Sequence, residues 1–158
     1  LPSATGGAEE AVVIKFANSR HMLQSEQMAA ELARHLEISA PVSRLLLKAH
    51  DTEEWQALAA VSAPICPELA QLLGRKQSML VMQFIHGQDM QTAKGAWEAS
   101  ALTHSSHALG RLLVLDLMLG NADRLPVKSL SWRGNPSNVL WAEPAGASET
   151  DSSTSSYR

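Results

Sequence analysis

The run LGRLLVLDLMLGNADRLPVKSLSWRGNPSNVLW, residues 109–141, constrains this chain more than any other stretch. It opens as an apolar helix, stops at Gly120, and enters a polar turn carrying Asn121, Asp123 and Arg124. A second polar turn holds Asn138, and Val139-Leu140-Trp141 reads as a short strand. Leu109, Leu112, Leu113 and Leu117 are the expected buried face of the helix. Asp116 shares that face, four and three positions after Leu112 and Leu113. A carboxylate there is costly unless it accepts hydrogen bonds. The nearest unpaired donors are the backbone N–H groups of residues 120–124, so Asp116 is expected to brace that turn.

A carboxylate on a loop after a buried helix, followed by an Asn just before a strand, is how protein-kinase-like enzymes place a base and a metal ligand. In ordinary kinases the Asn follows the Asp by about five positions, whereas Asp123 and Asn138 are 15 apart. That spacing excludes the ordinary signature and leaves room for an atypical one. LGRLLVLDLMLGNADRLP followed by WRGNPSNVLW resembles the catalytic region of the actin-fragmin kinase family. The form it resembles is the one carried by plant dual-specificity phosphatases that act on microtubules. EEAVVIKFANSRHMLQSE and MLVMQFIHG resemble the same proteins, and together these blocks cover most of residues 9–141.

Length and composition narrow the alternatives. With 158 residues, 45% of them hydrophobic, the chain can build one core but not two full domains. A net charge of −3 and a pI near 6.1 argue against a nucleic-acid-binding surface. No apolar run approaches the roughly 20 residues that span a bilayer, and no signal-peptide pattern opens the chain. The lone Cys66 cannot form an internal disulfide, which fits a reducing, cytoplasmic setting. The start at Leu1 and the Ser-rich end read as a fragment of something longer.

Taken in order, residues 1–10 are a flexible lead-in, and Gly6-Gly7 is too little for a phosphate-cradling loop. Ala11–Phe16 is a strand that sets Val13 and Lys15 on one face and Val12, Ile14 and Phe16 on the other. Lys15 is either a solvated strand lysine or the point cation that holds ATP phosphates. Met22–Leu36 has a helical stripe of Met22, Ala29, Leu32, Ala33 and Leu36. Glu26 borders that stripe and is the expected partner of Lys15, while Glu31 belongs to a solvated face with Gln27, Arg34 and His35. Ile38–Lys48 passes through a Pro turn into a strand, and Asp51–Ala63 is a helix around Trp55, Leu58 and Ala59. APICPEL reads as a connection broken by Pro64 and Pro67. A phosphatase nucleophile at Cys66 would need an Arg at position 72, which is Leu72, so phosphatase chemistry is not expected here. Met79–Ile85 is a buried strand, residues 88–100 are uninformative, and His104 and His107 lack a third metal ligand. Residues 142–158 read as a disordered tail.

The fold class expected is α+β: an atypical protein-kinase-like fold, truncated, with an N-terminal lobe and the start of a C-terminal lobe over residues 11–141. The resemblance implies a protein Ser/Thr kinase that uses ATP with Mg2+ or Mn2+ and acts on a cytoskeletal protein, tubulin or actin. It implies further that Lys15 binds the phosphates with Glu26 orienting it, that Met82 backs the adenine pocket, and that Gln83, Phe84 and Ile85 supply hinge backbone. Asp123 would be the base, Asn138 a metal ligand, and Asn121 and Arg124 would fix the loop. The second metal-binding Asp has no good candidate, since Asp151 lies in the tail; the chain is expected to end inside an insertion and to be fused to a phosphatase domain in the intact protein. The rival reading is a catalytically inactive kinase-like binding or regulatory module.

Overall fold

The structure, a computed structural model, describes residues 11–142. The expected lead-in at 1–10, the tail from residue 143 and Asp151 lie outside the described residues. The chain divides into two compact units, Leu1–Phe84 and Ile85–Arg158, in a mixed α+β architecture.

The first unit is an antiparallel sheet of β1 (Val12–Lys15), β2 (Ser43–Leu47) and β3 (Ser78–Gln83) in the order β1-β3-β2. Lys15 lies opposite Leu80 and Val13 opposite Met82, so these four share one face. Helix α1 (Arg20–His35) lies on that face: Ser43 Oγ on β2 donates to Gln27 Oε1 on α1 over 3.1 Å. Ser19 caps the helix, its hydroxyl accepting from Met22 N–H at 3.4 Å, and Arg34 and His35 in the last turn suit the negative end of the dipole.

The buried face of α1 is turned one position from expectation. Leu23 and Ala33 are buried, whereas Met22 is 55% exposed and Leu36 lies at the surface. The two candidate stripes share Ala33, and only the sheet's position selects the one through Leu23, Glu26, Ala30 and Ala33.

On the opposite face, Leu46 and Met79 form a core with Trp55 of α2 (Thr52–Ile65) and Leu73 of α3 (Pro67–Arg75), flanked by Ile14, Phe16 and Val81. Trp55 Nε1 donates to the Leu73 carbonyl over 3.1 Å, tying the two helices together. Lys48 Nζ also caps the end of α3, at 3.3 Å from Leu73 O and 3.0 Å from Gly74 O.

The connection expected at APICPEL shrinks to Cys66 alone. Pro64 sits in the last turn of α2, where the Cys66 N–H still reaches Ser62 O over 2.7 Å. Pro67 occupies the start of α3, where a missing N–H costs nothing. Strand β3 ends at Gln83, two residues short of expectation, opposite Val12, the first residue of β1; the Phe84 N–H reaches Ala11 O, and Phe84 is 44% exposed.

The second unit is built on α4 (Ala99–Leu119) and a two-stranded ribbon of β4 (Gln88–Asp89) and β5 (Leu140–Trp141). The stretch that carried no readable pattern supplies its core: Met90, Ala93 and Ala96 are buried against Leu109, Val139 and Trp141. Ala96 belongs to a 3₁₀ turn, Lys94–Trp97, whose carbonyl Ala96 O accepts from the buried Ser105 hydroxyl at 2.8 Å. On α4 the buried positions are Ser105, Leu115 and Asp116, with Leu109, Leu112 and Leu113 half-buried. Leu117, expected on this face, is 48% exposed. The helix turns it about 100° away from Asp116, so the two could not both be buried on one stripe.

Candidate functional site

The site in the second unit begins where α4 ends. Gly120 takes a left-handed conformation at φ 65°. Its N–H reaches Leu117 O at 3.4 Å while Asn121 N–H reaches Asp116 O at 2.8 Å, a Schellman stop that turns the chain sharply outward. Asp116 is fully buried beneath this turn. Its Oδ1 accepts from Asn121 Nδ2 at 2.9 Å and pairs with Arg124 Nη2 at 2.8 Å. Asp116 thus braces the loop through two side chains, not through the backbone N–H groups expected from the sequence. Its Oδ2 and Arg124 Nε are buried and have no hydrogen-bond partner among the described residues.

Asn121 passes the constraint on. Its Oδ1 accepts from the Asp123 N–H at 3.2 Å, an Asx turn that fixes the backbone of Asp123. The carboxylate of Asp123 is exposed, and it is met by Asn138 from 15 residues downstream. Asn138 Nδ2 donates to Asp123 O at 2.8 Å and to Asp123 Oδ2 at 2.9 Å. Both partners are acceptors, so the amide orientation is chemically determined and Asn138 Oδ1 is left facing away from them.

The loop between them is closed by Gly134, whose N–H reaches Ala122 O at 3.3 Å. Gly134 has φ 65°, and a Cβ there would lie 2.5 Å from Pro126 N and 2.6 Å from Leu125 C. No other residue fits without moving the backbone next to Asp123. This requirement was not visible in the sequence, since Arg-Gly-Asn-Pro reads only as a turn.

In the first unit, Lys15 Nζ lies 2.8 Å from both carboxylate oxygens of Glu26. Glu31 instead accepts from Gln27 at 3.0 Å and pairs with Arg34 at 2.6 Å along its own helix. The Arg34 hydrogen bond, then its charge, holds the Glu31 carboxyl below the usual range, with Gln27 and His35 adding to this and slight burial opposing it. Met82 is half-buried, two residues along β3 from Leu80, which faces Lys15. The Gln83 and Phe84 amides are already bonded, to Val42 O at 2.8 Å and Ala11 O at 3.2 Å. They are not available as donors to a ligand; Ile85 opens the second unit.

Other candidates fall away. Cys66 Sγ is 3.7 Å from Glu68 Oε2, and Leu72 stands where a phosphate-binding Arg would be needed. His104 and His107 are exposed on α4, and the described residues contain no cluster of three or more His, Cys, Asp or Glu side chains arranged to hold a metal. No helix among the described residues is long and apolar enough to cross a membrane.

This network, a buried Asp under an exposed Asp–Asn pair, coincides with the motifs that suggested a family. The family model for the actin-fragmin kinase catalytic domain matches residues 1–156. The chain belongs to the actin-fragmin kinase catalytic family. Dual specificity protein phosphatase PHS1 of Arabidopsis thaliana is 38% identical over 145 residues, an alignment covering 83% of this chain and 16% of that protein. The chain therefore spans a small part of the length of this relative.

Proposed function

We propose that this domain transfers the terminal phosphoryl group of ATP to a Ser or Thr hydroxyl of a cytoskeletal protein, tubulin or actin, within a larger protein that also carries a phosphatase domain. The observation that carries the reading is the Asn138 amide clamped on Asp123 across 15 residues, above the buried Asp116–Arg124 pair. Phosphoryl transfer asks a protein chiefly for positioning and charge, and this loop supplies both.

Asp123 accepts the proton of the attacking hydroxyl. Its Oδ2 is turned by Asn138, and its Oδ1 has no hydrogen-bond partner among the described residues. Asn121 and Arg124 hold the loop, and Asp116 anchors them. In the first unit, Lys15 holds the α- and β-phosphates, with Glu26 fixing its direction. Met82 lines the adenine side of the sheet face that carries Lys15.

The donors fit Mg2+ or Mn2+: Asn138 Oδ1 and an Asp123 carboxylate oxygen are hard ligands. Mg2+ takes one or two protein oxygens and completes its shell with water and phosphate. When bound, the ion neutralises charge on the phosphates. The test is a turnover assay with the intact protein, ATP, a divalent ion and tubulin or actin. Phosphate incorporation that is lost in Asp123→Asn supports the reading. Divalent-dependent ATP binding with no turnover on either protein would make this a kinase-shaped binding module instead.

A further inference from the structure

Asn138 is clamped on Asp123, so the residues between them form a loop closed at its base. Further bonds stiffen that loop from within. Val127 and Trp132 exchange both backbone hydrogen bonds, each at 3.1 Å, around a 3₁₀ turn at Lys128–Leu130. The Gly134 N–H returns to Ala122 O at 3.3 Å, and Pro126 and Pro136 fix φ on either side of the hairpin. The segment is a stiff projection from the loop that carries Asp123, and a hydroxyl approaching Asp123 arrives beside it.

Its charge is one-sided. Residues 124–142 hold three cations, Arg124, Lys128 and Arg133, and no carboxylate, in a chain whose net charge is −3. Arg124 is committed to the buried Asp116 at 2.8 Å. Arg133 and Lys128 are exposed, and neither has a hydrogen-bond or ion-pair partner among the described residues. Arg133 adjoins Gly134 in the chain as Ala122 adjoins Asp123, so the bond from Gly134 to Ala122 sets Arg133 beside the candidate base. Lys128 stands at the far turn, near the 46% exposed Leu130.

We propose that the hairpin of residues 125–137 recognises the protein substrate, Arg133 taking an acidic side chain that flanks the accepting Ser or Thr and Lys128 adding a second positive charge. The inference rests on the kinase reading above. A guanidinium on a fixed backbone suits a carboxylate, which it can meet with two parallel hydrogen bonds. The phosphates of ATP are the competing anion, and they already have a cation in Lys15, held by Glu26 in the first unit. Arg133 belongs instead to the loop of the base. The base acts on the hydroxyl of the protein substrate, so a cation built into its loop meets the chain around that hydroxyl.

The experiment measures steady-state phosphorylation of tubulin and of actin by the intact protein, varying the protein substrate and ATP separately. The variants are Arg133→Glu, Arg133→Gln, Arg133→Lys and Lys128→Glu, with a thermal melt on each. Arg133→Glu sets like charges against each other and should raise KM for the protein substrate about tenfold or more. Arg133→Gln and Lys128→Glu should raise it less, and Arg133→Lys should restore most of the parental value. KM for ATP, and kcat at saturating protein substrate, should stay within about twofold. Raising salt from about 50 to 200 mM should raise the parental KM for the protein substrate and change that of Arg133→Glu much less. An unchanged KM for the protein substrate in Arg133→Glu would overturn the proposal. So would a loss confined to kcat or to KM for ATP, which would place Arg133 at the reacting atoms or the nucleotide. If the parent phosphorylates neither tubulin nor actin, the kinase reading itself falls, and this inference with it.

Discussion

Lys15 Nζ is equidistant, at 2.8 Å, from the two oxygens of the Glu26 carboxylate, joining strand β1 to helix α1. The pair is half-exposed, with side-chain exposures of 50% and 34%, so it is worth little to stability. Its geometry is what it contributes: a cation fixed on a rigid strand. Glu26→Gln is therefore expected to cut turnover of the intact protein far more than Glu31→Gln, with both variants melting within a few degrees of the parent. Lys15→Met should match or exceed the loss in Glu26→Gln. Parallel turnover assays decide, and an effect of Glu31→Gln larger than that of Glu26→Gln would contradict the assignment.

Glu31 has a different signature, in acid. Its folded-state pKa lies below its unfolded value, chiefly through the Arg34 hydrogen bond. A depressed carboxyl stabilises above the unfolded pKa of about 4, and that contribution is lost as pH falls through the lower folded value. Melting curves between pH 5 and pH 2 should show a shallower acid fall in Glu31→Gln than in the parent. The difference should be small, because the pair is solvent-exposed.

Gly134 provides a test of the loop. Ala at this position meets both a positive φ and a backbone contact at 2.5 Å. The conformational part alone is about 1–2 kcal/mol, and the contact adds to it by pushing the Leu125-Pro126 peptide. Gly134→Ala should lower both the melting temperature and turnover. Gly120→Ala shares the φ but meets nothing within 4 Å, so it should lower stability by the conformational part only.

What the sequence made legible followed from local chemistry. The Gly120 stop, the exposed Asp123, the buried Asp116 and the choice of Glu26 over Glu31 all depend on residues within one or two helical turns. What it hid depends on distant partners. Met22 and Leu23 offer equally regular stripes, and the sheet decides between them. The Pro-broken APICPEL segment is helical on both sides because Pro67 stands at the start of α3, where a helix can spare its N–H, and Pro64 falls one residue before the end of α2, where the bond it forfeits is among the last of the helix. The core made by Met90, Ala93 and Ala96 has no period to read, since it comes from a two-residue strand and a 3₁₀ turn. Asn138 was found by its place before a strand, but its clamp on Asp123 is a contact across 15 residues.

Asp116 should behave as a buried charge. Removing one partner of a buried pair costs up to about 3–5 kcal/mol, less where the other partner keeps contact with solvent, as Arg124 does with 23% of its side chain exposed. Asp116→Asn should therefore lower the melting temperature by several degrees and reduce turnover together, checked by a thermal melt and a rate measurement on the same sample.

Asp123→Asn separates the base from the brace, and it tests the central claim most directly. The carboxylate is exposed, and an amide can still accept from Asn138 Nδ2, so neither packing nor loop geometry should change. Loss of a positioned base typically costs about 10²–10⁴-fold in rate. The measurement is kcat for phosphate transfer to tubulin or actin by the intact Asp123→Asn protein, with its melting temperature and ATP affinity taken in parallel. The account predicts kcat lower by about 10²–10⁴-fold with melting temperature and ATP affinity nearly unchanged. A variant that turns over at the parental rate would contradict it.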